Sequence, residues 1–232
     1  MTVKYVEEVL KSLSHKTEGF YLAGGTALSL FYFHHRESYD LDFFTRDFSR
    51  TKAETVIKYL EGARGITATL AGRQIGKDKA RVLVYSLKIA HGIAVKIDFV
   101  EDLYRMLKPL KRVDGIDILS IEDIYMRKIF AACGSRGDTN RAGKKHFIGG
   151  RQDAKDFFDL YYLSHTFMPL SVFAHRYCDE MQVESIVVWY RTYDRMAMKL
   201  GLRDIITDKK YEYQEMERYF KGEVEELVRK GI

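Results

Sequence analysis

Asp40 and Asp42 form the pair of residues whose spacing most clearly suggests chemistry. They begin the sequence Asp-Leu-Asp-Phe-Phe, which is typical of a strand. Side chains two apart on a strand point to the same face, so the two carboxylates project together while Leu41 and Phe43 face the core. Adjacent carboxylates repel each other unless a positive group lies between them. A divalent cation that prefers oxygen ligands, such as Mg²⁺, meets this requirement.

Gly24 and Gly25 precede the aspartates and follow the apolar run 20–23. Apolar residues at helical spacing come next, so we predict the order strand, glycine turn, short helix, strand. Glycine lets the backbone approach a ligand closely, and a helix that starts near Thr26 offers free N–H groups to a phosphate. Each feature alone is also typical of an ordinary turn or a solvated strand end. Their combination indicates nucleotide chemistry.

A predicted hairpin adds a third carboxylate. Residues 81–89 and 93–100 show the alternation of two strands around a short turn. On the second strand, Ile97 and Phe99 share the core face, whereas Lys96 and Asp98 share the other. Asp98 fits as a third metal ligand or is a solvated strand end. Lys96 is its ion-pair partner or reaches a phosphate.

Helix signals dominate after residue 115. Ser120-Ile-Glu-Asp123 predicts a capped helix, with Lys128 on its apolar face. A lysine there can simply extend its ammonium to water. Residues 134–150 contain five glycines and four Lys or Arg, which indicates a mobile basic loop or a solvated one. A helix over 151–163 follows, with its basic and acidic pairs one turn apart.

The composition is that of a soluble protein, with 46% hydrophobic and 31% charged residues among 232. No apolar run is long enough to span a membrane. Cys133 and Cys178 lack metal-ligand spacing, so we expect reduced thiols and a cytoplasmic location. The net charge of +5 mildly favours a polyanionic partner.

Gly-Gly-Thr-Ala-Leu at 24–28, followed by His-Arg-x-Ser-x-Asp-Leu-Asp-Phe-Phe at 35–44, resembles the AbiEii/AbiGii-type nucleotidyltransferase toxin family. That family belongs to the DNA polymerase beta-like nucleotidyltransferase superfamily. The resemblance implies transfer of a nucleoside monophosphate from a nucleoside triphosphate, with Mg²⁺ or Mn²⁺ held by Asp40, Asp42 and Asp98. Many superfamily members have Gly-Ser where this chain has Gly24-Gly25, so Thr26 is expected to supply the hydroxyl.

The resemblance also implies roles for residues beyond the carboxylates. Lys128 takes the place of a functional lysine and would contact the triphosphate. Asp156, in a basic-Asp-x-x-Asp-Leu-Tyr motif, would orient Lys128 or act as a base, whereas Asp159 would be structural. The complete expected sets are, for the nucleotide, Gly24, Gly25, Thr26, Lys128 and Arg151, and, for the acceptor, Arg141, Lys144 and Lys145.

We therefore predict an α/β (α+β) fold. A small mixed nucleotidyltransferase sheet with flanking helices would occupy residues 1–115, and a helical domain residues 116–232. By resemblance the protein is the toxin of a toxin–antitoxin or phage-defence pair. Its acceptor would be RNA, such as a tRNA 3′ end, or a protein hydroxyl. The alternative is a non-catalytic protein that binds RNA or a partner, against which the three carboxylates argue because a metal needs them together.

Overall fold

The computed structural model describes residues 2–76, 79–90, 92–134, 136–139, 143, 145–148 and 150–229. The chain forms two compact units, Met1–Ile124 and Tyr125–Ile232. The division into domains at residues 115 and 116 stays a prediction. Within the described ranges, no helix combines the length and apolar character that a membrane crossing requires.

A seven-stranded mixed sheet is the centre of the first unit, as predicted for its fold class. Its strands, in chain order, are β1 (Tyr21–Ala23), β2 (Asp40–Thr45), β3 (Thr67–Gly76), β4 (Lys79–Ala90), β5 (Ile93–Glu101), β6 (Lys111–Val113) and β7 (Ile116–Ile118). Their order across the sheet is β3-β4-β5-β2-β1-β7-β6. β2 pairs with β5, and β1 with β7, in parallel, and the other pairs are antiparallel.

In the described part of the first unit, three helices lie wholly within the unit and a fourth begins near its end. They are α1 (Thr2–Ser12), α2 (Gly24–Leu28), α3 (Arg50–Arg64) and α4 (Ile121–Cys133). α2 continues into a π-helical turn, Ser29–Phe33, so the predicted strand, glycine turn, helix and strand are all present. α3 is capped by Ser49, whose hydroxyl accepts a hydrogen bond from Lys52 N at 3.4 Å.

The core of the first unit lies against the face of β2 and β5 that carries their apolar residues. Leu41, Phe43, Ile97 and Phe99 are all buried. Phe20 meets Phe99 edge-on with ring centroids 4.8 Å apart, and Phe43 stacks on the same ring. This packing fixes which face of each strand turns inward, and the polar side chains of β2 and β5 therefore share the opposite face.

Strands also form outside the predicted hairpin. Residues 73–76 lie in β3 and residues 79–80 in β4, and β6 and β7 lie within the stretch 111–118. β3 is an edge strand that is exposed along nearly its whole length. A strand exposed on both faces shows no apolar alternation in its sequence. β3 is held in the sheet by backbone hydrogen bonds to β4.

The second unit is mainly helical, as predicted. Its later helices are α5 (Ala154–Tyr162), α6 (Leu170–Tyr177), α7 (Glu180–Thr192), α8 (Arg195–Gly201) and α9 (Tyr213–Arg229). Phe157 and Phe220 pack with ring centroids 4.9 Å apart, and Trp189 also contacts Phe220. α5 begins at Ala154, where Asp153 caps it, so Arg151 precedes the helix in which it was predicted.

The predicted loop at 134–150 contains a two-stranded hairpin instead. Its strands are β8 (Arg136–Thr139) and β9 (Lys145–Ile148), paired antiparallel. Lys145 lies opposite Thr139 in the register. Arg141 and Lys144 lie outside the described residues. The hairpin was missed because its glycines and charges indicate a turn-rich loop more strongly than strands.

Candidate active site

The parallel register of β2 and β5 brings the three predicted carboxylates together on one face of the sheet. Asp42 lies opposite Asp98, and Asp40 lies opposite Lys96. Neighbouring strands are about 4.8 Å apart, so these side chains are immediate neighbours. All four are only partly exposed. The arrangement is a half-buried row of three acids and one cation.

Gly24 is the residue that lets the chain pass close to Asp42. Ala23 pairs with Asp42 across β1 and β2, and Gly24 follows with φ of +69°. A Cβ at position 24 would lie 2.1 Å from Asp42 Oδ2, well inside van der Waals contact. Glycine is therefore required here for two reasons, namely the left-handed backbone and the space that the carboxylate occupies.

Lys96 already compensates part of this negative charge. Its Nζ lies 2.7 Å from Asp98 Oδ2. Burial raises the pKa of Asp98, and the charge of Asp40 adds to this, although Lys96 opposes both. Burial alone lowers the pKa of Lys96, but its hydrogen bond to Asp98 and the charges of Asp40 and Asp42 outweigh that effect and raise it.

The donors suit a hard divalent cation, but the side chains are not arranged as a finished metal site. In the part of the chain that the structure describes, no group of three or more His, Cys, Asp or Glu residues is placed to hold a metal ion. Asp98 Oδ1 is buried there without a hydrogen-bond partner, so one carboxylate oxygen is available as a ligand. Lys96 contacts the other oxygen, Oδ2, and would have to move away only if both oxygens of Asp98 bound the metal.

Thr26 supports the position of Asp40. Its side chain is fully buried, its Oγ1 donates a hydrogen bond to the carbonyl of Asp40, and Ser38 Oγ lies 2.8 Å away. Gly25 is buried in the first turn of α2. The hydroxyl of Thr26 thus holds the start of β2, and its contact with a phosphate stays a prediction.

Lys128 lies in a buried cluster of charges in the second unit. Its Nζ is 2.7 Å from Asp156 Oδ1 and 2.6 Å from Asp159 Oδ2, and both acids are fully buried. Arg151 Nε approaches Asp156 Oδ2 at 2.5 Å, while 61% of the Arg151 side chain stays exposed. Two cations and two carboxylates therefore balance within this cluster.

The structure pairs Asp156 with Lys128, as one of the two predicted roles for Asp156 requires. Burial raises the pKa of Asp156, but the charges of Lys128 and Arg151 outweigh this and hold it below the usual carboxyl range. Asp159, expected to be only structural, also binds Lys128 directly. The i, i+3 spacing of the two acids was the available signal, because it places them on one face of α5.

Comparison with known proteins identifies the family. The sequence profile of the nucleotidyl transferase AbiEii toxin of type IV toxin–antitoxin systems matches residues 8–218. The chain belongs to the AbiEii family. The members of this family are nucleotidyltransferase toxins, and membership implies an antitoxin partner. No curated protein matches the chain.

Two solved structures have a fold similar to that of this chain. JHP933 from Helicobacter pylori is 17% identical, with a TM-score of 0.61, and the match covers 98% of this chain and 94% of that one. A candidate nucleotidyltransferase from H. pylori is also 17% identical, with a TM-score of 0.61 and coverage of 99% and 98%. At this identity the likeness establishes the fold alone.

Gly24→Ala tests the close approach of the backbone to Asp42. Gly65→Ala is the matched control, because Gly65 has φ of +61° and nothing within 4 Å of an added Cβ. Both variants carry the left-handed strain of about 1–2 kcal/mol, and only Gly24→Ala adds a clash. We expect Gly24→Ala to lower the free energy of unfolding further than the control by at least about 1 kcal/mol. Equal losses in denaturant titrations would contradict the contact.

Lys128→Met tests the buried cluster. Removal of one partner leaves buried carboxylates uncompensated, so we expect a loss of about 3–5 kcal/mol near neutral pH. Arg151→Met is the control, since the exposure of Arg151 limits its effect to about 1 kcal/mol.

The loss of stability in Lys128→Met should depend on pH in a definite direction. In the wild type, the lowered pKa of Asp156 contributes stability that is present above the ordinary carboxyl pKa and is lost as pH falls through the lowered value. In Lys128→Met, protonation of a buried acid relieves the destabilisation. The gap between the two proteins should therefore narrow toward about pH 4, and a constant gap in urea titrations would reject the account.

Proposed function

We propose that this chain is a divalent-metal-dependent nucleotidyltransferase. It would transfer a nucleoside monophosphate from a nucleoside triphosphate to an acceptor hydroxyl and release pyrophosphate. The observation that carries the proposal is the register that sets Asp42 beside Asp98, with Asp40 on the same face. Family membership supports a transferase, and the carboxylates supply the oxygen ligands that such chemistry uses.

Asp40, Asp42 and Asp98 would hold the Mg²⁺ or Mn²⁺. When bound, the metal supplies polarisation of the α-phosphate and activation of the acceptor hydroxyl. Gly24 leaves the backbone beside Asp42 uncovered by a side chain, so the N–H groups at the start of α2 are the proposed contacts for the phosphates, together with Gly25.

Lys128, Arg151 and Asp156 of the second unit keep their predicted roles. Asp156 and Asp159 fix the Lys128 ammonium at one place, so we assign Asp156 the role of orienting Lys128. Arg151 has most of its side chain exposed and still contacts Asp156. Its guanidinium is therefore the cation of this cluster that a phosphate reaches without displacing a buried group.

The acceptor and the setting belong to the same proposal. RNA, such as a tRNA 3′ end, is the preferred acceptor and a protein hydroxyl the other, and the protein would act in the cytoplasm as a toxin restrained by its antitoxin. Arg141, Lys144 and Lys145 stay predicted acceptor contacts. Incubation with each labelled nucleoside triphosphate and total RNA, with protein as a second acceptor, tests which nucleotide is transferred and which acceptor receives it.

One observation favours the alternative, a non-catalytic protein that binds RNA or a partner. Lys96 already pairs with Asp98, so a metal is not the only group that can compensate these acids. Three clustered carboxylates therefore do not by themselves require a metal. Metal binding and transfer therefore have to be measured separately.

Asp42→Asn should abolish nucleotide transfer while the chain stays folded. The substitution removes a proposed metal ligand and reduces repulsion among the acids, so the free energy of unfolding without Mg²⁺ should hold or rise. Asp117→Asn is the control, because Asp117 lies on β7 in a loose pair with Arg112 at 3.6 Å. Transfer by Asp42→Asn at the rate of the control would reject the assignment.

Lys96→Met distinguishes a metal-binding transferase from the non-catalytic alternative without an activity assay. Loss of the only cation on this row of described residues should lower the melting temperature without metal and strengthen Mg²⁺ binding. Tenfold tighter binding raises the stabilisation at saturating Mg²⁺ by about 1.4 kcal/mol. Lys88→Met is the control, since Lys88 is an exposed lysine of β4. If neither the wild type nor Lys96→Met responds to Mg²⁺, the row of acids does not bind metal.

A further inference from the structure

A groove of about 880 Å³ crosses the surface of the second unit. Its lining comes from Tyr190 and Arg191 at the end of α7, Arg195 of α8, and residues of α9 from Gln214 to Arg229. The proposed transfer chemistry uses none of these residues. The groove is lined within one unit, so its shape depends on packing inside that unit alone.

Positive charge dominates the groove. Among the described residues that line it, the cations are Arg191, Arg195, Arg218, Lys221 and Arg229, and the acids are Glu217 and Glu225. Arginine forms two parallel hydrogen bonds with a phosphate, and four of the five cations are arginines. The lining residues therefore carry an excess of three positive charges, although one of them, Arg229, pairs at 2.7 Å with Glu226, which does not line the groove.

The pairing within the groove leaves two arginines available. Arg195 binds Glu217 at 2.8 Å, and Lys221 approaches Glu225 only to 3.8 Å, with both side chains exposed. Arg191 and Arg218 are exposed, and in the part of the chain that the structure describes neither forms an ion pair or hydrogen bond. They lie on different helices, α7 and α9, and both line the groove, so one bound chain could contact both.

The arrangement of α9 separates its charges. Arg218, Lys221 and Arg229 recur at spacings of three and eight residues and face the groove, although the helix as a whole carries more acids than bases. Glu223 instead accepts a hydrogen bond from Ser171 N at 2.7 Å. The cations are therefore concentrated on the groove face rather than spread around a solvated helix.

We propose that this groove binds the phosphate backbone of single-stranded RNA. The occupant follows from charge complementarity with a polyanion, together with the apolar surface of Tyr190 and Val228, against which bases can pack. The choice of RNA rests on the proposed function, in which the bound strand is the acceptor. Backbone contacts of this kind bind strands of differing sequence with similar affinity.

The test compares Arg191→Ala/Arg218→Ala with Arg203→Ala/Lys210→Ala. The control removes two exposed cations of the same unit that do not line the groove. The probe is a fluorescently labelled single-stranded RNA, measured by anisotropy without nucleotide or Mg²⁺, so that failure of transfer does not affect the result. A melting curve for each variant shows that it is folded.

We expect the groove variant to bind RNA about tenfold more weakly than the control. The slope of log affinity against log salt concentration should fall in magnitude by about 1.4, since each phosphate contact contributes roughly 0.7. Equal affinity and slope in the two variants would overturn the proposal. So would tighter binding of an acidic peptide than of RNA, or a loss of binding confined to the Arg141→Ala/Lys144→Ala/Lys145→Ala variant.

Discussion

Repulsion among three carboxylates is the constraint on which the first unit's site depends. The parallel pairing of β2 with β5 sets Asp42 beside Asp98, and Asp40 shares their face. Because like charges at this spacing destabilise a sheet, a cation has to compensate them. Lys96 does so in part, and it leaves Asp98 Oδ1 without a hydrogen-bond partner in the described structure. The site is therefore folded while one buried carboxylate oxygen stays unsatisfied in the described part of the chain.

The second unit contains the opposite situation, a cluster in which charges balance. Lys128 lies between Asp156 and Asp159 with almost no exposure. Buried ion pairs contribute little net stability because desolvation offsets their attraction. We therefore interpret the cluster as a device that fixes the position of Lys128 and presents Arg151 to solvent.

Local pattern predicted the faces of the strands but not their neighbours. Alternation placed Asp40 and Asp42 on one face and Asp98 on the non-core face of a later strand. Their adjacency depends on the register between β2 and β5, which long-range packing of Phe43 on Phe99 sets. Likewise, the family resemblance predicts a functional role for Lys128, but the direction of its ammonium depends on where α5 packs. β3 was missed because its exposed residues carry no apolar period.

Local sequence pattern also does not predict the groove of the second unit. The sequence reveals a charged amphipathic α9, but whether its cations face solvent or a groove depends on α7 and α8, which precede it in the chain. Two exposed arginines on different helices meet one opening only after packing. Surfaces assembled from several elements are therefore less predictable than motifs within one strand.

The most direct measurement is a crystal structure with Mn²⁺ and a non-hydrolysable nucleoside triphosphate, in which anomalous scattering locates the metal. The account predicts a peak at coordination distance from Asp40 and Asp42, about 2.0–2.3 Å from their oxygens. Bound nucleotide with no anomalous peak at these residues would contradict it.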